Sequence, residues 1–132
     1  MTPVVFVIDG RIGSGKTEFT KNWLGKSGNA LFNAGPERVG DPLTIGDAFA
    51  QYDMVGIDEI GQFDPISAKA SIDRLIAEAK ATSKQLVLVV QKLSQLAAMG
   101  IDLPEETAYA TFRAAPVTRA KFRFKEQELI VS

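Results

Sequence analysis

The run Gly10-Arg11-Ile12-Gly13-Ser14-Gly15-Lys16-Thr17 has the spacing G-x-x-x-x-G-K-[ST], and each fixed residue type in it has a chemical reason. Glycines let successive backbone N–H groups turn inward around an anion, a lysine ammonium reaches phosphate oxygens, and a threonine hydroxyl can ligate Mg²⁺. The run follows the apolar stretch Val4-Val5-Phe6-Val7-Ile8 and opens a helix near Lys16, whose positive dipole end would face the same anion. These residues imply a site for a nucleoside triphosphate, with Glu18 beside the loop and Thr17 on the metal. A glycine-rich turn with a coincidental lysine is the alternative.

Tyr52-Asp53-Met54-Val55-Gly56-Ile57-Asp58-Glu59 is apolar in its middle and ends in two carboxylates. At the end of a strand, Asp58 would hold the Mg²⁺ shell through water. Glu59, one residue nearer the carboxyl ends where ligands bind in open α/β sheets, would polarise an attacking water. The alternative is an acidic pair that caps the next loop. Gln91 closes the apolar run Gln85-Leu86-Val87-Leu88-Val89-Val90. If that strand lies between the first and third, its amide can donate to a γ-phosphate oxygen and accept from water; otherwise it is a polar strand end. Gln62 is a further candidate for such work, against a capping or loop role.

Phosphoryl transfer gains from an arginine that neutralises transition-state charge, supplied in cis or by a neighbouring subunit. Arg113, Arg119 and Arg123 are the candidates, and Arg11 and Arg74 are lesser ones. From Thr107 to Lys125 the basic residues Arg113, Arg119, Lys121, Arg123 and Lys125 have no acidic neighbour, so segment 113–125 can equally be a solvated strand face or touch nucleic-acid phosphates. Phe122 and Phe124 alternate with these charges, a spacing that suits core-facing strand positions better than base-stacking platforms.

The elements that must position these groups follow from length and pattern. At 132 residues the expectation is one domain, 1–132. A hydrophobic share of 45% with 23% charged residues is that of a globular chain, and no apolar run nears the roughly 20 residues of a membrane span. Absence of cysteine excludes disulfides and Cys-ligated zinc, and absence of histidine leaves proton transfer to carboxylates. A net charge of −1 gives no general attraction to nucleic acid. Met1-Thr2-Pro3 lacks a basic leader pattern and the apolar run stops at Asp9, so the expectation is a core strand and a cytoplasmic protein.

Strands are expected at 4–8, 30–32, 52–59, 85–90, 108–113 and 121–125, with 129–131 returning against the last as a C-terminal antiparallel hairpin. The Glu126-Gln127 connection is a poor turn for that hairpin. Residues 33–41 read as loop. Helices are expected at about 15–24, burying Phe19, Trp23 and Leu24 and stopped by Gly25, and at 93–99, stopped by Gly100. A short helical turn is expected at 45–49. Another helix runs from an Asp64 cap and Pro65 to Thr82, with Ile66, Ala70, Leu75, Ile76 and Ala79 as its apolar face. Strands alternating with helices give an α/β three-layer sandwich around a mainly parallel sheet.

With those segments in place, Gly10 to Thr17, Val55-Gly56-Ile57-Asp58-Glu59 and Val89-Val90-Gln91-Lys92-Leu93-Ser94 resemble the P-loop NTPases of the RecA-like division, which place an extra strand between the loop strand and the Asp-Glu strand. Within that division the pattern is most similar to the FtsK/HerA group, which contains DNA-pumping, viral genome-packaging and phage-assembly ATPases. The resemblance implies hydrolysis of Mg²⁺-ATP by a ring of identical subunits. In it Lys16 and Thr17 bind phosphate and Mg²⁺, Asp58 holds the metal, Glu59 the water, and Gln91 senses the γ-phosphate. It also implies a trans arginine and a DNA partner. Most members carry extra domains, so the resemblance suggests a minimal viral or plasmid version.

A second similarity is to the thymidine-kinase family, whose Asp-Glu-x-Gln-Phe segment reads here as Asp58-Glu59-Ile60-Gly61-Gln62-Phe63, one residue longer. It implies transfer of the γ-phosphate to a nucleoside. That family's cysteine-rich zinc lasso has no counterpart in a chain without cysteine. A nucleotide-gated scaffold without turnover is a third class, and Glu59 argues against it.

Overall fold

The computed structural model describes residues 3–11, 14–112, 120–124 and 127–131. Two runs rich in β-branched and aliphatic residues form the inner strands of a sheet, β1 (Val5–Gly10) and β4 (Gln85–Val90), which pair in parallel from Val5 opposite Leu86 to Asp9 opposite Val90. β3 (Met54–Ile57) lies on the far side of β4, and β2 (Ala30–Asn33) closes that edge. β5 (Ala108–Phe112) pairs in parallel with the other side of β1. β6 (Ala120–Phe124) and β7 (Gln127–Val131) then run antiparallel.

The sheet order is therefore β2-β3-β4-β1-β5-β6-β7, five parallel strands followed by the hairpin. β4 sits between β1 and β3, as the position proposed for Gln91 requires. Phe124 pairs with Gln127, so Gln127 already belongs to a strand and is not half of the turn the sequence suggested.

Side-chain alternation sends each strand's residues to two faces. Val5, Val7, Val55, Ile57, Leu86, Leu88 and Val90 pack against α3 (Pro65–Thr82), with α2 (Ala48–Gln51) and α4 (Ser94–Ala98) contributing to the same cluster. Phe6, Ile8, Met54, Val87 and Val89 lie under α1 (Lys16–Ser27). Helices thus cover both faces of an α/β sheet, an arrangement compatible with three layers. Among the described residues no helix is long and apolar enough to cross a membrane.

Several expectations need correction. α1 continues past Leu24 and Gly25 to Ser27, because the left-handed residue that ends it is Gly28, at φ 74. Leu24 is buried there, whereas Phe19 and Trp23 are only half-buried, the Trp23 ring standing edge-on to Phe6 at 5.1 Å. The short second helix begins at Ala48, three residues later than the turn expected at 45–49. On α3 the buried face is Ala68, Ile72, Leu75, Ile76 and Ala79, while Ile66 is 82% exposed and Ala70 is exposed. A spacing of 4, 3, 1 and 3 keeps the first set on one side, and Ile66, two residues from Ala68, points the other way. The Asp64 cap forms as expected: its Oδ2 accepts from the Ser67 N–H at 2.9 Å, with Pro65 in the first turn.

Candidate functional site

The strand registers bring the chemically loaded positions to one rim. Ile8 lies opposite Val89 and Ile57 opposite Leu88, so β1, β4 and β3 reach their carboxyl ends at nearly the same level. Gly10, Gln91 and the pair Asp58 and Glu59 follow there, and Phe112 lies opposite Gly10 on the other side. From Gly10 the chain turns into α1 through residues 11–15, of which Ile12 and Gly13 lie outside the described residues. The Ser14 N–H donates to Arg11 O at 3.1 Å, and Gly15, at φ 90, caps the helix. A Cβ at Gly10 would stand 2.8 Å from both Phe112 O and Ser14 Oγ, so the loop closes on this strand end only around glycine.

Lys16, in the first turn of α1, is 7% exposed. Its Nζ donates to Arg11 O at 3.2 Å, and among the described residues it forms no ion pair. A nearly buried ammonium with one neutral acceptor is poised for an anion. Ser14, 3% exposed, has a hydroxyl with no hydrogen-bond partner among the described residues. Both features suit a phosphate held inside the loop, the Arg11 side chain being exposed beside it. Glu18, one residue past Thr17, is also exposed.

Thr17 faces the strand end. Its Oγ1 donates to Asp58 Oδ2 at 2.6 Å, and the other Asp58 oxygen accepts from the Glu59 N–H at 2.8 Å. Asp58, 2% exposed, continues the alternation of Met54 and Gly56 and so lies on the face that α1 covers. Gly56 allows the close approach, since a Cβ there would come within 2.5 Å of Leu24 Cδ1. Among the described residues no group of three or more His, Cys, Asp or Glu side chains is placed to hold a metal. The Thr17 hydroxyl and Asp58 carboxylate are a donor pair that suits Mg²⁺ when phosphate and water oxygens complete the shell.

Comparison with protein-family models and with curated proteins returns no match.

Glu59 is exposed at the rim in a left-handed conformation, φ 51 and ψ 44, rare for a residue with a side chain. A 3₁₀ turn, Ile60–Gln62, follows, anchored by buried Ile60 and Phe63. Gln62 serves this loop structure: its N–H donates to Glu59 O at 2.9 Å and its carbonyl accepts from the Gly40 N–H at 2.8 Å. Gln91 is half-buried one residue beyond Val90, and its N–H donates to Gln95 Oε1 at 3.0 Å. Gln95 also packs on Gly61, where a Cβ would strike its amide, so it links the end of β4 to the turn after Glu59. Sequence reasoning missed Gln95 because its partners are set by packing and not by spacing. It likewise missed the 2.7 Å bond from Thr111 Oγ1 to Asp9 Oδ1, which ties β5 to the end of β1.

The basic residues are only partly placed. Arg113, Arg119 and Lys125 lie outside the described residues. Arg123 and Lys121 occupy β6 positions opposite Tyr109 and Thr111, and Phe122 and Phe124 lie opposite Ala110 and Ala108. Arg74 sits on α3, its guanidinium bonded to Ile45 O and paired with Glu78 at 3.5 Å.

Proposed function

We propose that this protein is a RecA-like P-loop NTPase that hydrolyses Mg²⁺-ATP, and that it works as an oligomeric motor in packaging or translocating viral or plasmid nucleic acid, or in phage assembly. The observation that carries the reading is the Thr17–Asp58 hydrogen bond beside a buried Lys16 that forms no ion pair among the described residues, which joins a glycine loop and an acidic strand end into one site. Lys16 would bind the β- and γ-phosphates, with loop N–H groups and Ser14 around them. Thr17 and Asp58 would hold Mg²⁺, which supplies positive charge against the phosphate oxygens. Glu59 would orient a water for in-line attack on the γ-phosphorus and accept its proton as the bond to the β–γ bridging oxygen breaks and ADP leaves with the electron pair. Gln91, at the same rim, would contact the γ-phosphate.

The ring, the DNA partner and the trans arginine, drawn from Arg113 and Arg119, belong to the same proposal. They rest on the sequence resemblance and on the basic segment 113–125. A cytoplasmic or virion-associated location goes with them.

One observation favours a second reading, transfer of phosphate to a nucleoside. A cavity of about 650 Å³ runs along β2, lined by Asn33, Thr44, Ile45, Asp47 and Tyr52 among others, and Asn33 O accepts from the Asp58 N–H at 2.8 Å. Its mixed polar and aromatic lining suits a small polar acceptor close to the acidic strand end.

The deciding experiment is steady-state phosphate release from Mg²⁺-ATP over a range of protein concentrations, with and without DNA, with thymidine as a control and Lys16→Ala as the site control. Release that rises with protein concentration and DNA, and is lost in Lys16→Ala, supports the motor. ATP consumption that needs thymidine and ignores DNA supports the kinase. Release that Lys16→Ala leaves unchanged overturns both.

A further inference from the structure

The left-handed conformation of Glu59 is held from two sides. On one, its carbonyl accepts from Gln62 within the anchored 3₁₀ turn. On the other, the loop after β2 crosses it. Gly35, at φ 115, donates its N–H to Asn33 Oδ1 at 3.2 Å, and a Cβ on Gly35 would stand 2.7 Å from Glu59 Oε2 and 3.1 Å from Glu59 Cβ. The loop is tied to the same region at both ends. Asn33 O accepts from the Asp58 N–H at 2.8 Å, Gly40 donates to Gln62 O at 2.8 Å, and Asp64 donates to Asp41 O at 2.8 Å.

We propose that Gly35 is a positioning residue for hydrolysis, its bare Cα forming the wall that sets the direction of the Glu59 carboxylate. The inference rests on the reading of Glu59 as the group that activates water, and it assigns that group's aim to the loop after β2 as well as to β3. The physical reason is side-chain freedom. An exposed glutamate samples many rotamers, whereas a general base must lie within hydrogen-bond reach of the proton it takes. Contact with Gly35 on both Oε2 and Cβ removes part of that freedom. A methyl group at Gly35 would push the carboxylate aside without touching Lys16, Thr17 or Asp58, so turnover and nucleotide binding should separate.

The test compares Gly35→Ala with Gly40→Ala. Gly40 also has a positive φ, 90, in the same loop, and among the described residues a Cβ there would meet nothing within 4 Å, so it carries positive-φ strain without the contact. Gly35→Ala is expected to lower kcat for Mg²⁺-ATP about tenfold or more, with KM and affinity for a non-hydrolysable ATP analogue changed by less than about twofold, while Gly40→Ala stays within about twofold on all three. Equal loss in both variants, or wild-type turnover in Gly35→Ala, overturns the inference.

A second measurement needs no change at Gly35. Hydrogen exchange at the Ala34 and Gly35 amides should quicken in Glu59→Ala but not in Glu59→Gln, which keeps the side-chain bulk; equal exchange in the two overturns the contact. A wild-type protein that releases no phosphate from ATP, with or without DNA, overturns the parent reading. Wild-type turnover with an indifferent Gly35→Ala overturns this inference alone.

Discussion

Thr17 and Asp58, 41 residues apart, share a hydrogen bond of 2.6 Å from Oγ1 to Oδ2. It joins the first turn of α1 to the end of β3 across the intervening strand β4, although β1 and β3 are not neighbours in the sheet. With the Glu59 N–H on its other oxygen, both oxygens of the Asp58 carboxylate are engaged.

Thr17→Ala removes that donor and leaves an oxygen of a 2%-exposed carboxylate without its partner. The expected cost is about 1–3 kcal/mol in urea denaturation, with Thr17→Ser close to wild type. Equal stability of the two variants would show that the bond contributes nothing.

Ser14→Ala should change sign between two states. Its hydroxyl is buried without a partner among the described residues, so the ligand-free protein should lose no stability in the variant, whereas ATP affinity measured by calorimetry should fall by about 1 kcal/mol. A variant that destabilises the ligand-free protein and leaves ATP affinity intact would place the hydroxyl outside the phosphate site.

Glu59→Gln preserves shape and removes the proton acceptor. Turnover should fall about 10²- to 10⁴-fold with nucleotide affinity kept. Unchanged phosphate release in that variant would sink the role given to Glu59.

Two glycines near α1 should respond oppositely to alanine. At Gly56 a Cβ would come within 2.5 Å of Leu24 Cδ1 and 3.3 Å of Phe32, so Gly56→Ala should cost about 1–3 kcal/mol by overpacking. At Gly25, inside the helix with nothing among the described residues within 4 Å of an added Cβ, Gly25→Ala should stabilise by about 0.5–1 kcal/mol. Thermal melts of the two variants read the signs directly, and a shift in the same direction for both would contradict the packing described for α1.

What the sequence determined by itself is local. The order of types from Gly10 to Thr17, the β-branched runs of β1 and β4, and the Asp64-Pro65 helix start each depend on φ/ψ preference or on residues a few positions apart, so they could be read without a structure. The residues left open whether β4 lies between β1 and β3, an order that only the family resemblance implied and that the sheet has, and tertiary structure alone decided which side of α3 is buried, with Ile66 left outside. It also decided that Glu59 is left-handed against Gly35 and that Gln95 reaches both Gly61 and the Gln91 N–H. Those relationships come from packing between segments far apart in the chain, where many pairings satisfy the same local patterns and only close fit across the sheet selects one.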